Sequence, residues 1–170
     1  MKNVIPTLLN IQEEKDFLKS DILNWFASLK ENLDPIPDDL NSQVELLAKI
    51  RMGLYEDLNQ LQHVALIIKV AEQLQKNFPK ITKWCWHAKQ TSHPEYADLT
   101  GYIKKKVFLN AEVTTSSKPV GTIDQRMKST LVSLNTKEGL KFYFVLTDEM
   151  FNRATSKKKR YNLDIDIQKI

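Results

Sequence analysis

The segment that most constrains this chain is residues 96–115, which read YADLTGYIKKKVFLNAEVTT. Its apolar and polar residues alternate on both sides of three central lysines, a pattern that predicts two antiparallel strands joined by a turn. We expect Ile103 to pair with Val107 across the lysines. Counting outward from that pair sets Asp98 directly opposite Glu112, on one face of the sheet and with Cβ atoms roughly 5 Å apart.

Two carboxylates at such a separation repel each other, so this hairpin needs a compensating group. A divalent cation, a lysine or a proton shared between the two acids could supply it. We take the cation as the leading hypothesis and the other two as alternatives.

Length and composition are typical of one soluble domain: the chain has 170 residues and a net charge of +4. That charge permits nucleic-acid binding but is weak evidence for it. Cys85 is the only cysteine, which excludes an internal disulfide and a cysteine-rich zinc site. The sequence has neither an apolar run of ~20 residues nor the apolar core of a signal peptide, so we expect a cytoplasmic protein.

The remaining pattern predicts an α/β fold, with N-terminal helices followed by a small mixed β-sheet that is flanked by helices. We divide the chain into a helical region, residues 1–58, and an α/β core, residues 59–170. Gly53 lies inside the second helical pattern, which therefore predicts either two helices or one kinked helix. Thr122 and Gln125 fit a capping box at the start of the helix after the hairpin. The predicted elements are helices over 13–32 and 40–78, strands over 83–89 and within 96–115, a helix from 122, a strand over 140–147, a short helix over 148–157 and a last strand over 163–167.

This order, with an acid on the second strand and another on the third, resembles the PD-(D/E)xK superfamily of restriction-endonuclease-like nucleases. In that family the motif runs from an Asp, across a hairpin, to Glu-x-Lys on the next strand, and a helix and two more strands follow. Here Pro94-Glu95-Tyr96-Ala97-Asp98 stands at the first half of the motif and Glu112-Val113-Thr114 at the second. Both acids match the motif, whereas its lysine is replaced by a threonine.

The resemblance implies a Mg²⁺- or Mn²⁺-dependent DNA endonuclease of the restriction or defence type, or a subunit of one. Asp98, Glu112 and the carbonyl of Val113 would hold the metal, which would lower the pKa of the attacking water. Members of the superfamily often add an acid from the helix before the first strand. Glu72 is the best-placed residue for that role, and Glu56 is the alternative.

The missing lysine needs a substitute, because in such nucleases it orients the water and stabilises the developing negative charge. Thr114 has a hydroxyl group and can replace only the hydrogen bond. We rank Lys118 first as the substitute and Gln125 second, although Gln125 also has the predicted capping role, and an inactive site follows closely. Arg126 and Lys128, on the same helix as Gln125, are further candidates.

The basic residues have two interpretations. Lys104, Lys105 and Lys106 could contact phosphates, as could Arg126 and Lys128, or the turn lysines could simply keep the hairpin soluble. The same alternatives apply to residues 157–160, which we expect to be exposed.

The histidines and tryptophans are expected to be structural. We expect Trp84 and Trp86 to pack in the core, and we expect structural or surface roles for His63, His87 and His93.

Two other classes of function stay open. One is a non-catalytic nucleic-acid-binding or regulatory module with a degenerate nuclease fold, and the other is a helical assembly subunit. The expected partner of a nuclease is double-stranded DNA. Because two strands must be cut, a homodimer or a partner nuclease or specificity subunit makes chemical sense.

Overall fold

The computed structural model describes residues 7–87 and 96–170, without the side chains of Thr7 and residues 53–56. In these residues the chain is an α/β protein with a six-stranded mixed sheet, whose strands follow one another in sequence order. Strands β1 to β4 pair with one another antiparallel, while β5 and β6 run parallel to β4. The elements are β1 (Thr7–Leu8), α1 (Ile11–Leu33), α2 (Leu40–Asn77), β2 (Lys83–Trp86), β3 (Leu99–Ile103), β4 (Lys106–Val113), α3 (Thr122–Asn135), β5 (Leu140–Val145), α4 (Asp148–Arg160) and β6 (Asp166–Lys169).

The predicted α/β class and the order of the predicted elements are confirmed, with one difference in the N-terminal half. The short edge strand β1, which pairs with β2, was not predicted. Of the two alternatives at Gly53, the structure has the single helix, since α2 runs through it as one helix of 38 residues. Residues 88–95, which include His93 and the start of the acidic motif, lie outside the described residues.

The two N-terminal helices begin at side-chain caps. The side chain of Asn10 accepts a hydrogen bond from the backbone N–H of Glu13, and Asp39 accepts one from Ser42. Such caps satisfy backbone N–H groups that have no partner inside the helix. At its other end α2 stops at Phe78, directly before Pro79, which cannot continue a helix.

The hairpin turn is tighter than predicted. Only Lys104 and Lys105 form it, with φ values of 50° and 67°, as a two-residue type I′ turn requires. Ile103 therefore pairs with Lys106, and the expected pair of Ile103 with Val107 is wrong.

A β-bulge restores the register that the shorter turn shifts. Phe108 is the extra residue, because Val107 pairs with Tyr102 and Leu109 pairs with Gly101. Beyond the bulge Leu99 pairs with Ala111, so one further step sets Asp98 opposite Glu112. The prediction for the two acids holds because the two deviations cancel.

The sheet lies between two layers of helix, each with its own apolar core. On one face Ile67, Val70 and Leu74 of α2 pack against the strands, and on the other Met127 and Leu131 of α3 do so. Alternate residues of β5 enter the two cores, as expected for a strand with both faces covered. The predicted packing of Trp84 and Trp86 is confirmed, and Cys85 between them is buried as well.

The start of α3 differs from its prediction. Gly121, with a φ of 54°, is the N-cap residue, and no side chain caps the helix. The capping box of Thr122 and Gln125 is wrong because α3 begins at Thr122, one residue earlier than that box requires. In the part of the chain that the structure describes, no helix combines the length and apolar character needed to cross a bilayer.

Candidate functional site

Three elements bring polar side chains together at one end of the β3–β4 pair. Asp98 directly precedes β3, and Glu112 is the second-last residue of β4. The helix α2 contributes the third residue, His63, whose side chain is buried. The hairpin register explains why the two acids lie opposite each other, and the packing of α2 on the sheet explains why the histidine lies beside them.

Asp98 is fixed by the backbone of the neighbouring strand. Its Oδ2 atom accepts a hydrogen bond of 2.8 Å from the N–H of Val113. The Nε2 atom of His63 lies 3.3 Å from that same Oδ2 and 3.3 Å from the carbonyl oxygen of Val113. Because Asp98 is only 9% exposed, these contacts determine its orientation.

Asp98 and Glu112 are also hydrogen-bonded to each other through their side chains. Burial raises the pKa of Glu112 well above its ordinary value, and the negative charge of Asp98 and this hydrogen bond raise it further. The positive charge of Lys137, in the loop before β5, acts in the opposite direction. The raised pKa favours the neutral form of Glu112, which removes the repulsion, while Lys137 supplies a positive charge near the pair.

Tyr143 completes the surroundings of Glu112, with which it pairs across β4 and β5. Burial raises the pKa of the Tyr143 hydroxyl well above its ordinary value, and the charge of Glu112 adds to this effect. A hydrogen bond with the side chain of Thr114 lowers that pKa. Thr114 also accepts a hydrogen bond of 3.2 Å from the N–H of Ser116. It therefore lies beside the acidic pair and is already engaged there.

Glu72 lies away from this pair. Its carboxylate forms an ion pair with Lys15 of α1. Glu72 follows His63 by nine residues, which at about 100° per residue places the two on opposite sides of α2. The helix thus contributes His63 to the pair, where the sequence predicted an acid. The side chain of Glu56, the alternative acid, lies outside the described residues.

The four candidates for the missing lysine are all exposed. Lys118 lies in the loop after β4, and Gln125, Arg126 and Lys128 lie on α3. The ammonium group of Lys128 sits 4.9 Å from the centre of the Tyr161 ring. Within residues 96–170 the structure shows no hydrogen bond from any of the four to Asp98 or Glu112.

Lys104 and Lys105 of the turn and Lys106 at the start of β4 are exposed at the tip of the hairpin. The basic run 157–160 is exposed only in part. Lys157 is buried and donates a hydrogen bond of 3.0 Å to Asp124, so its predicted exposure is wrong. Asp124 also accepts two hydrogen bonds from Arg153, at 2.7 and 2.9 Å, and these partners hold the pKa of Asp124 below its ordinary value. This ion-pair cluster ties α3 to α4, which is a structural role for Lys157.

Two residues near the acids were not identified from the sequence. His63 precedes Ile67, Val70 and Leu74 by four, seven and eleven residues, a spacing that places it on the buried side of α2. This spacing could have predicted its burial, though not its contact with Asp98. Nothing in the sequence around Lys137 indicates its proximity to Glu112, because that depends on how the α3–β5 loop packs.

The donor atoms at this site are mostly hard oxygens. The described residues contain no group of three or more His, Cys, Asp or Glu side chains that could hold a metal ion. A site with two carboxylates suits Mg²⁺ nonetheless, because this ion commonly takes only one or two carboxylates and completes its shell with water and phosphate oxygens. No family model, curated protein or solved structure matches the chain.

Proposed function

We propose that this chain is a metal-dependent nuclease that hydrolyses phosphodiester bonds in DNA. The observation that carries the proposal is the hydrogen-bonded pair of Asp98 and Glu112, in which burial and mutual repulsion raise the pKa of Glu112. A pair of this kind costs folding free energy, and groups with strongly shifted pKa values are concentrated at functional sites.

The topology around the acids supports the same proposal. One acid precedes the second strand of the β2–β3–β4 meander, the other lies on the third, and a helix, a strand, a helix and a strand follow. This is the order of the PD-(D/E)xK motif, so a restriction-endonuclease-like core is the fold that we propose for residues 59–170.

Asp98, Glu112 and the carbonyl of Val113 would hold Mg²⁺ or Mn²⁺. When bound, the metal supplies a Lewis acid and lowers the pKa of the attacking water. The chain's own residues prepare the site: the N–H of Val113 and the ring of His63 fix the orientation of the Asp98 carboxylate. The positive charge of Lys137 favours the ionised form of Glu112, which is the form that binds a metal.

The role of the missing motif lysine falls to Lys137 or to Lys118. Lys137 exerts its charge on Glu112, whereas Lys118 is exposed in the loop that leaves β4. Five exposed cations would contact the DNA backbone independently of base sequence: Lys104, Lys105, Lys106, Arg126 and Lys128.

Cleavage of supercoiled plasmid tests this proposal. We expect nicking with Mg²⁺ or Mn²⁺, and none with EDTA. Glu112→Gln should lower the rate at least about 100-fold, as expected when an essential charged group is lost. Asp164→Asn is the matched control, since the Asp164 side chain is fully exposed and far along the chain from both acids. No nicking together with no metal-induced rise in melting temperature would overturn the proposal.

One observation favours a second candidate, a nucleic-acid-binding module without catalysis. Oδ2 of Asp98 already has protein partners, and the raised pKa of Glu112 favours its neutral form, which relieves the repulsion without a metal. Such a module would bind DNA with salt-dependent affinity, and Glu112→Gln would leave that affinity unchanged. If the two turn lysines contact phosphates, Lys104→Asn with Lys105→Gly should reduce the slope of log K against log[salt] by up to about 2.

A further inference from the structure

The hairpin of α1 and the first part of α2 leaves a large apolar surface uncovered. No residue of α1 is buried, although it packs along α2. Leu23 is 68% exposed and Leu40 is 72% exposed, unlike the apolar residues that face the sheet. We call the following six exposed side chains the hairpin patch: Leu23, Phe26, Leu33, Leu40, Val44 and Leu47.

The two halves of the hairpin patch lie on one side of the hairpin. The half-buried residues of each helix mark the side that faces the other helix. At about 100° per residue, the patch residues of α1 and those of α2 lie clockwise of this contact when each helix is viewed from its N-terminus. The exposed Phe17 and Met52 lie on the other side of the contact and do not belong to the patch. Because the two helices are antiparallel, the same rotation brings both stripes to the same side.

The area of this surface is that of a protein interface. The six side chains, together with Ile36 in the connecting loop, expose apolar area on the order of the ~800 Å² that each partner buries in a stable complex. Contiguous apolar patches of this size mark interaction sites on proteins in water.

We propose that the hairpin patch is the interface of a homodimer, in which two hairpins pack antiparallel into a four-helix bundle. The distribution of charge on the hairpin supports a second copy of the chain as the partner and an antiparallel orientation of the two hairpins. The tip of the hairpin has Asp34, Asp38 and Asp39 against one cation, Lys30. Arg51, on the same side of α2 as Leu47, lies about 16 Å from the tip at 1.5 Å per residue.

In an isologous interface each residue meets its counterpart in reverse order. Antiparallel packing therefore places the acidic tip of each copy beside Arg51 of the other copy, while parallel packing would place the two acidic tips together. The chain thus carries both halves of a complementary pair, which is what self-association requires. This inference is independent of the proposed nuclease activity.

Sedimentation velocity on the full chain, from about 1 to 100 μM, tests the interface. We expect a dimer of the wild type and a monomer of the Leu23→Glu, Val44→Glu double variant. Both positions are exposed, so the variant should keep the circular-dichroism spectrum of the wild type. A wild-type chain that stays monomeric at 100 μM overturns the proposal, as does a folded double variant that still dimerises.

Charge reversal tests the orientation. Asp38→Lys and Arg51→Glu should each weaken the dimer at least about tenfold, because each places like charges across the interface. The two substitutions in one chain should restore the wild-type dissociation constant, since they exchange the partners of the same pair. Additive weakening in the double variant would overturn the antiparallel arrangement. Glu149→Gln, on α4 and outside the patch, is the control for unspecific charge effects.

Discussion

At the residue scale, the contact of His63 with Asp98 and Val113 predicts a large contribution to stability. His63→Ala should lower the free energy of unfolding by about 2–4 kcal/mol, because it opens a cavity and removes a hydrogen-bonding group from a buried carboxylate. His63→Gln keeps a donor and should lose clearly less. Urea titration measures both variants, and equal losses would show that the ring matters only for packing.

Glu112 gives a second prediction at this scale. Its pKa is raised in the folded protein, so the stability linked to it is complete below the ordinary pKa near 4.5 and is lost as the pH rises through the raised value. In EDTA the wild type should lose about 1.4 kcal/mol for each unit by which the pKa is raised, and Glu112→Gln should not show this loss.

Thermal melts of both proteins across pH 4–9 check the prediction for Glu112. Mg²⁺ should raise the melting temperature of the wild type most at high pH, where Glu112 is ionised, and should leave Glu112→Gln unchanged. A wild-type stability that stays flat over this range would contradict the raised pKa.

At the element scale, the loop between α3 and β5 depends on a glycine. Gly139 has a φ of 75°, and a Cβ atom there would lie 2.4 Å from the carbonyl oxygen of Phe108 in the hairpin bulge. Gly121 also has a positive φ, 54°, but no atom lies within 4 Å of such a Cβ, so it is a control for backbone strain without a clash. Because its ψ of −125° lies outside the left-handed helical region, we expect Gly121→Ala to cost about 1–3 kcal/mol for its backbone conformation alone.

Gly139→Ala should cost at least about 1 kcal/mol more than the control, because the backbone of Phe108 must move. Chemical denaturation of the two variants side by side measures the difference. Equal costs would mean that the loop shifts freely, and the position of Lys137 near Glu112 would then be loosely defined as well.

The hairpin and its surroundings also show which structural features the sequence can and cannot predict. The alternation along the hairpin predicts the pairing of Asp98 with Glu112, since a strand has a strict period of two. The turn was wrong because Lys104 and Lys105 adopt positive φ values, for which Asn-Gly or Asp-Gly is the usual signal. The contacts of His63 and Lys137 with the acids depend on how α2 and a loop pack on the sheet, and no local pattern encodes that packing.

At the scale of the whole molecule, the hairpin patch and the acidic pair together predict how DNA is cut. A dimer carries two sites, so both strands of one duplex can be cleaved in one encounter. A monomer carries one site and must nick the strands in separate encounters. The wild type should therefore convert supercoiled plasmid to the linear form early in the reaction, with little nicked intermediate.

The Leu23→Glu, Val44→Glu variant should accumulate nicked plasmid and form linear product only late, at a rate that falls with enzyme dilution. Agarose gels taken through the time course separate the three plasmid forms. The initial rate of nicking per site should equal that of the wild type because the acids are unchanged. If the monomeric variant linearises plasmid as fast as the wild type, double-strand cleavage does not need the dimer. If nicking is lost as well, the hairpin contributes to the site itself.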